Sequence, residues 1–253
     1  MTPRSLWTVN RASLLLAAAL GCQFAPANAG IPVKTRVDGA IFPAEWLRPG
    51  IDAIAVPLDP AEAVRSARLA QEAMALYPVG LLDANLRAVY FVRQMSFYGV
   101  RYAGTNSNDS VYITNRGADC GFTDSYVKGT FHHEFSSILL RNYHEKFDAR
   151  AWAAANREPN AYGTNGLEAI KNGRADTVYR ARYNAEGFLN QYATASIEED
   201  FNTIAEGLFS GDPDFWRVVD NFPRVAQKER LAVKFYSSLD SRFTEEFFRS
   251  LRN

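Results

Sequence analysis

The apolar positions of this chain change period along its length, and those changes mark its elements. After a stretch from 30 to 58 broken by prolines and glycines, Pro60 opens a segment in which Val64, Ala67, Ala70 and Met74 recur near helical spacing. Leu69, Ala73 and Leu76 widen that face, and Tyr77-Pro78 and Gly80 end it. From Leu86 the pattern turns to β, over Ala88–Val92, Phe97–Ala103 and Val111–Thr114. A loop rich in Gly and Asp, 115–129, leads into a helix from about Thr130 to Phe147. Its Phe131, Phe135, Ile138 and Leu139 repeat at i, i+4, i+7 and i+8 and so face a core. The remainder reads as helical: Asp148–Asn156, then, after a loop, Ile197–Phe209, Asp214–Asp220, Pro223–Leu239 and Thr244–Leu251. The pattern predicts one α+β domain with a small, mostly antiparallel sheet and a largely helical C-terminal half. An irregular arm (30–58) precedes a core (59–210) and a helical extension (211–253).

The first 29 residues stand apart from this pattern. Arg4 and Arg11 form a positive region ahead of an apolar run, Ala12–Leu20, too short to span a bilayer, and Ala27-Asn28-Ala29 forms a small-x-small cleavage site. They read as a secretory signal, which makes the expected location secreted or periplasmic. Cys22, after Ala19-Leu20-Gly21, offers an alternative: a lipid anchor on the outer membrane. With the signal removed, Cys120 is the remaining thiol and no internal disulfide forms. No later segment is long and apolar enough for a transmembrane span. The 28 basic residues are matched by 28 acidic ones, so no positive excess exists to neutralise a phosphate backbone, and nucleic acid is excluded as the main partner.

The chemistry concentrates at His132-His133-Glu134-Phe135-Ser136-Ser137. An H-E-x-x-H pattern sets two imidazoles one helical turn apart with a glutamate beside the metal as general base. His133 and Glu134 occupy those places, but Ser137 stands where the second histidine belongs. Neither other histidine is well placed to substitute, and His144 comes within reach only if the helix breaks and folds back near Arg141–Asn142. His132 lies about 100° around the helix from His133, and His144 returns to the same face only about 16 Å along the axis. Downstream, Ser196 is placed to cap a helix with Glu199 at the third position after it, a capping box as well as a third-ligand position. Tyr192 lies seven residues before Glu199. A serine hydrolase built from Ser136 or Ser137 with His132 or His133 would put its nucleophile in mid-helix, without the exposed elbow and oxyanion amides acyl transfer needs.

His133-Glu134-Phe135, followed by Ile138-Leu139, together with Tyr192 and Glu199-Asp200-Phe201, resembles the secreted zinc-binding metallopeptidases. These are glutamate-ligand zincins (gluzincin-like), related to the lethal-factor-like proteases. Their pattern pairs H-E-F-x-H-I-L with Y-x(6)-E-D-F-A-E, and the likeness spans about residues 60–210. The resemblance implies a zincin-like fold, zinc held by His133 and Glu199, Glu134 as general base, Tyr192 as oxyanion donor, and a peptide or protein substrate lying along Val111–Thr114. The chain departs from the pattern at Ser137 and at Thr203, which replaces an acid placed to hold the first imidazole. Two functions therefore stand side by side: a zinc-dependent peptidase with an incomplete ligand set, and a metal-free pseudoenzyme serving as a binding or scaffolding protein.

Overall fold

A six-stranded sheet carries helices on one face and the N-terminal arm on the other. The structure, a computed structural model, describes residues 30–37, 41–159 and 161–252. The expected signal segment and Cys22 lie outside the described residues.

The strands are β1 (Val33–Lys34), β2 (Ile54–Pro57), β3 (Ala88–Phe97), β4 (Val100–Tyr102), β5 (Gly104–Asn106) and β6 (Ser110–Thr114). β3 is the spine. Its first half pairs in parallel with β1 and β6, and its second half pairs antiparallel with β2 and β4. The sheet is thus mixed, where the pattern predicted mostly antiparallel pairing. Local alternation marks a strand but carries nothing about the direction of its distant partner. The arm also departs from the expectation of irregular chain, because β1 and β2 are woven into the sheet and Phe42 and Trp46 pack on Phe97 and Tyr112. β3 runs ten residues instead of stopping at Val92, and Tyr98 and Gly99, both with positive φ, turn it into β4.

The expected substrate strand needs correcting too. β6 lies inside the sheet, between β3 and β5, and every residue of it is buried. The terminal strand beside the helices is β5.

The helices are α1 (Ala63–Met74), α2 (Val79–Asn85), α3 (Asp124–Asn142), α4 (Ala149–Ala154), α5 (Gly166–Lys171), α6 (Ala181–Glu186), α7 (Ile197–Ser210), α8 (Pro213–Asn221), α9 (Pro223–Leu239) and α10 (Glu245–Ser250). α3 starts earlier than the pattern predicted, because Thr123 caps it by accepting from the Tyr126 amide. Gly129, read as a loop residue, sits inside the helix, where an added Cβ would lie 2.8 Å from Glu206 Oε1. α3 is buried on several sides, with α1, α7, β5 and β6 around it. It ends at Asn142, and His144 follows on an exposed 3-10 turn, away from the other histidines.

Behind the sheet the core is dense with aromatic rings, among them Trp152, Phe201, Phe235, Tyr236 and Phe243. In α9, Glu229 is 2% exposed, with its Oε1 unpaired. Burial, reinforced by Glu245, pushes its carboxyl up to about 7. A carboxyl whose pKa rises on folding stabilises the fold below its unfolded pKa and loses that contribution as pH climbs through the folded value. Glu229→Gln should therefore match wild type in urea melts near pH 4. Above pH 8 it should be more stable, by about 1–3 kcal/mol; equal stability at both pH values would contradict this.

Candidate functional site

The site forms where α3 crosses α7, below the free edge of β5. Seen from α3, His133 and Glu134 point apart. His133 turns to α7, with Nε2 3.0 Å from Glu199 Oε2 and Nδ1 3.4 Å from Glu206 Oε2. Glu134 turns to the sheet, where the Asn106 side-chain amide donates to its Oε2 at 2.8 Å. Asn106 in turn accepts from Arg141, so a chain of polar groups holds the Glu134 carboxyl in place.

On the α7 side, Ser196 caps the helix by accepting from the Glu199 amide at 3.1 Å. The Glu199 side chain stays free of its own helix start. Tyr192 donates to its Oε1 at 2.8 Å, while Oε2 meets His133, and the Tyr192 ring stacks on the His133 ring. Of the four residues singled out from sequence, His133, Tyr192 and Glu199 are thereby joined, while Glu134 lines the same cleft as His133 and Tyr192 without a hydrogen bond to them. His132 faces the opposite way, into the core, where it shares a hydrogen bond with Tyr77 and stacks on Phe209.

Two glycines make this crowding possible. A Cβ at Gly104 would stand 2.6 Å from Glu134 Oε1, and one at Gly166 would collide with Glu199 Oε1 and lie 2.6 Å from Tyr192 Oη.

Burial governs the electrostatics. Desolvation pulls the His133 pKa down, but its contacts with Glu199 and Glu206 outweigh that and leave it well above the ordinary imidazole value. Burial pushes Glu134 up to about 7, against the opposing pull of His133 and the Asn106 hydrogen bond. It also raises the Tyr192 phenol, with the negative Glu199 adding to the effect, so the hydroxyl remains a proton donor. His132 is driven down to about 3 by burial and by Lys128, and stays neutral.

The donors do not fit a resident zinc. A catalytic zinc takes three protein ligands and keeps one position for water. Two donors converge here, His133 Nε2 and Glu199 Oε2. Where the second imidazole would stand, the Ser137 hydroxyl is buried and accepts from Asn202 Nδ2 at 2.6 Å. Among the described residues no group of three His, Cys, Asp or Glu is arranged to hold a metal ion.

Sequence reasoning missed Glu206, Asn106 and Asn202. Glu206 was in reach: seven residues after Glu199 on a helix fall about 20° short of two turns, so both acids share a face. It stands by the first imidazole although Thr203 cannot; the Thr203 hydroxyl bonds back to the Glu199 carbonyl at 2.6 Å. Asn106 and Asn202 carry no local motif that marks them.

A cleft of about 970 Å³ opens over these groups, lined by Tyr102, Gly104, His133, Glu134, Tyr192 and Glu206 among others. No protein-family profile matches the chain, and no curated protein matches it. Among solved structures, it resembles a "putative zinc-binding metallo-peptidase" from Bacteroides caccae ATCC 43185. The TM-score is 0.53 at 16% identity, over 89% of this chain and 85% of that one. At that identity the likeness is one of fold.

The contact made by Gly166 gives a direct check. Gly166→Ala should displace the Glu199 carboxyl and the Tyr192 hydroxyl, both ends of flexible side chains, from their 2.8 Å contact. A crystal structure of the variant reads this, and an unmoved Tyr192–Glu199 contact would contradict the packing described.

Proposed function

We propose that the protein binds an extended polypeptide along the free edge of β5, in the cleft over His133, Glu134 and Tyr192. The observation that carries this reading is the register of β5. The Thr114 amide donates to the Ala103 carbonyl and the Ser107 amide to the Ser110 carbonyl, so on either side of β5 the odd-numbered residues bond toward β6, and Thr105, opposite Tyr112, follows the same alternation. Gly104 and Asn106 fall between them, and their backbone N–H and C=O face away from β6. Gly104 also lines the cleft. A free edge with unpaired backbone groups is the template for strand addition, in which main-chain hydrogen bonds give affinity and neighbouring pockets give selectivity.

The neighbouring groups suit a peptide laid there. Glu134 presents a carboxyl beside Gly104, and Tyr192 and the exposed, apolar Val178 line the same cleft. The likeness of fold to a protein described as a metallo-peptidase points to the same ligand class. A second reading, peptide-bond hydrolysis on zinc, draws on the 3.0 Å between His133 Nε2 and Glu199 Oε2. Two ligands of a tetrahedral zinc stand about 3.3 Å apart, so the pair alone is nearly spaced for one. The absent third donor weighs against it.

The binding mode is testable with an unstructured peptide in fluorescence anisotropy. Binding should saturate, and N-methylation of the backbone at the residue opposite Gly104 should weaken it about three- to tenfold, the value of one hydrogen bond. Val178→Arg should weaken it without lowering Tm. Indifference to N-methylation at every position would rule out strand addition, and absence of any saturable binding would remove the function.

A further inference from the structure

The place where a second metal-binding imidazole would stand is built shut. Ser137 follows His133 by one turn of α3, and Asn202 follows Glu199 by one turn of α7. The two cross-helix pairs, His133 with Glu199 and Ser137 with Asn202, therefore run side by side along the same seam. Ser137 is 3% exposed and Asn202 1%, and they meet at 2.6 Å. Glu206 adds a contact to the other ring nitrogen of His133, and Tyr192 takes the remaining oxygen of Glu199.

We infer that this chain has exchanged a metal centre for a seam of side-chain hydrogen bonds: His133–Glu199 and Ser137–Asn202 join α3 to α7, and no divalent cation resides between them. A cation bound by bridging His133 and Glu199 would have two protein donors, one fewer than a catalytic zinc takes. A serine hydroxyl is a poor zinc donor, and this one is already occupied by an amide in a buried helix interface. Releasing it would strand the Asn202 amide, whose Oδ1 is buried without a partner already. The seam does without metal the work a metal does in such a site, tying two helices together across a cleft floor. It goes beyond the peptide-binding reading and does not depend on it.

The test counts metal on the purified full chain, equilibrated with micromolar zinc and then dialysed at neutral pH. Wild type should retain under about 0.1 equivalent, since its two donors fall short of the three of a catalytic site. Neither zinc nor EDTA should move its Tm. Asn202→Ala should lower Tm by about 2–6 °C, because a buried hydroxyl loses its partner. Ser137→His combined with Asn202→Ala should retain at least about tenfold more zinc than wild type, since it supplies the missing donor. Near one equivalent of zinc on wild type, removed by EDTA with a fall in Tm, would overturn the inference. So would a folded double variant that gains no zinc. If the double variant fails to fold, the wild-type count decides alone. The two readings fail separately: peptide binding lost with zinc absent sinks the cleft function and leaves the seam, whereas bound zinc sinks the seam whatever the peptide does.

Discussion

The packing of α3 against α7 is the constraint from which the rest of this molecule follows. Phe131, Phe135, Ile138 and Leu139 from one helix meet Phe201, Ile204 and Leu208 from the other in a continuous core. Truncating one such phenylalanine costs about 3–5 kcal/mol, so apolar burial sets the distance and angle between the helices. The polar groups at their contact inherit that geometry. His133 is 13% and Glu199 18% exposed in their side chains, buried enough to need partners and open enough to line a cleft. Each finds its partner on the other helix.

A second buried charge fixes the register of α7. Asp200, next to Glu199, receives Trp152 Nε1 at 2.8 Å, the Tyr162 hydroxyl at 2.6 Å and Lys228 Nζ at 2.5 Å, all on one oxygen. Lys228 is wholly buried and lies 4.1 Å from the centre of the Phe188 ring. Burial lowers the lysine pKa and raises that of the acid, so the pair holds its charge only by mutual contact. Removing one member of such a pair costs about 3–5 kcal/mol, because the survivor is left uncompensated in the core. α4, α9 and Tyr162 are thereby pinned to the first turn of α7, the turn that presents Glu199.

Much of this was legible in the amino-acid order, and what was not has physical reasons. Helical patterning placed α1, α3, α7 and α9, and short runs of β-branched and aromatic residues placed β6 and the first half of β3, because both signals are local. The H-E pair and the tyrosine seven residues before Glu199 pointed to three side chains that hydrogen-bond in series, His133, Glu199 and Tyr192, and to Glu134, which turns to the sheet and lines the same cleft. Strand direction was not legible, since a parallel partner is chosen by tertiary packing. Gly129 misled for a similar reason: glycine breaks an isolated helix, but here it lets Glu206 approach α3. Asn106 and Asn202 act through residues far away in sequence, and no spacing rule finds them. The Ser137 substitution was visible as a loss. Its pairing with Asn202, which turns the loss into a contact, was not.

The central claim is that cross-helix hydrogen bonds stand where a metal peptidase would hold its ion. Crystals grown in excess zinc and measured on both sides of the zinc absorption edge test it most directly. The account predicts no anomalous peak between His133 and Glu199, with Nε2 and Oε2 near the 3.0 Å described above and Asn202 still on Ser137. A peak there, with bonds of about 2.0–2.2 Å to both side chains, would contradict it.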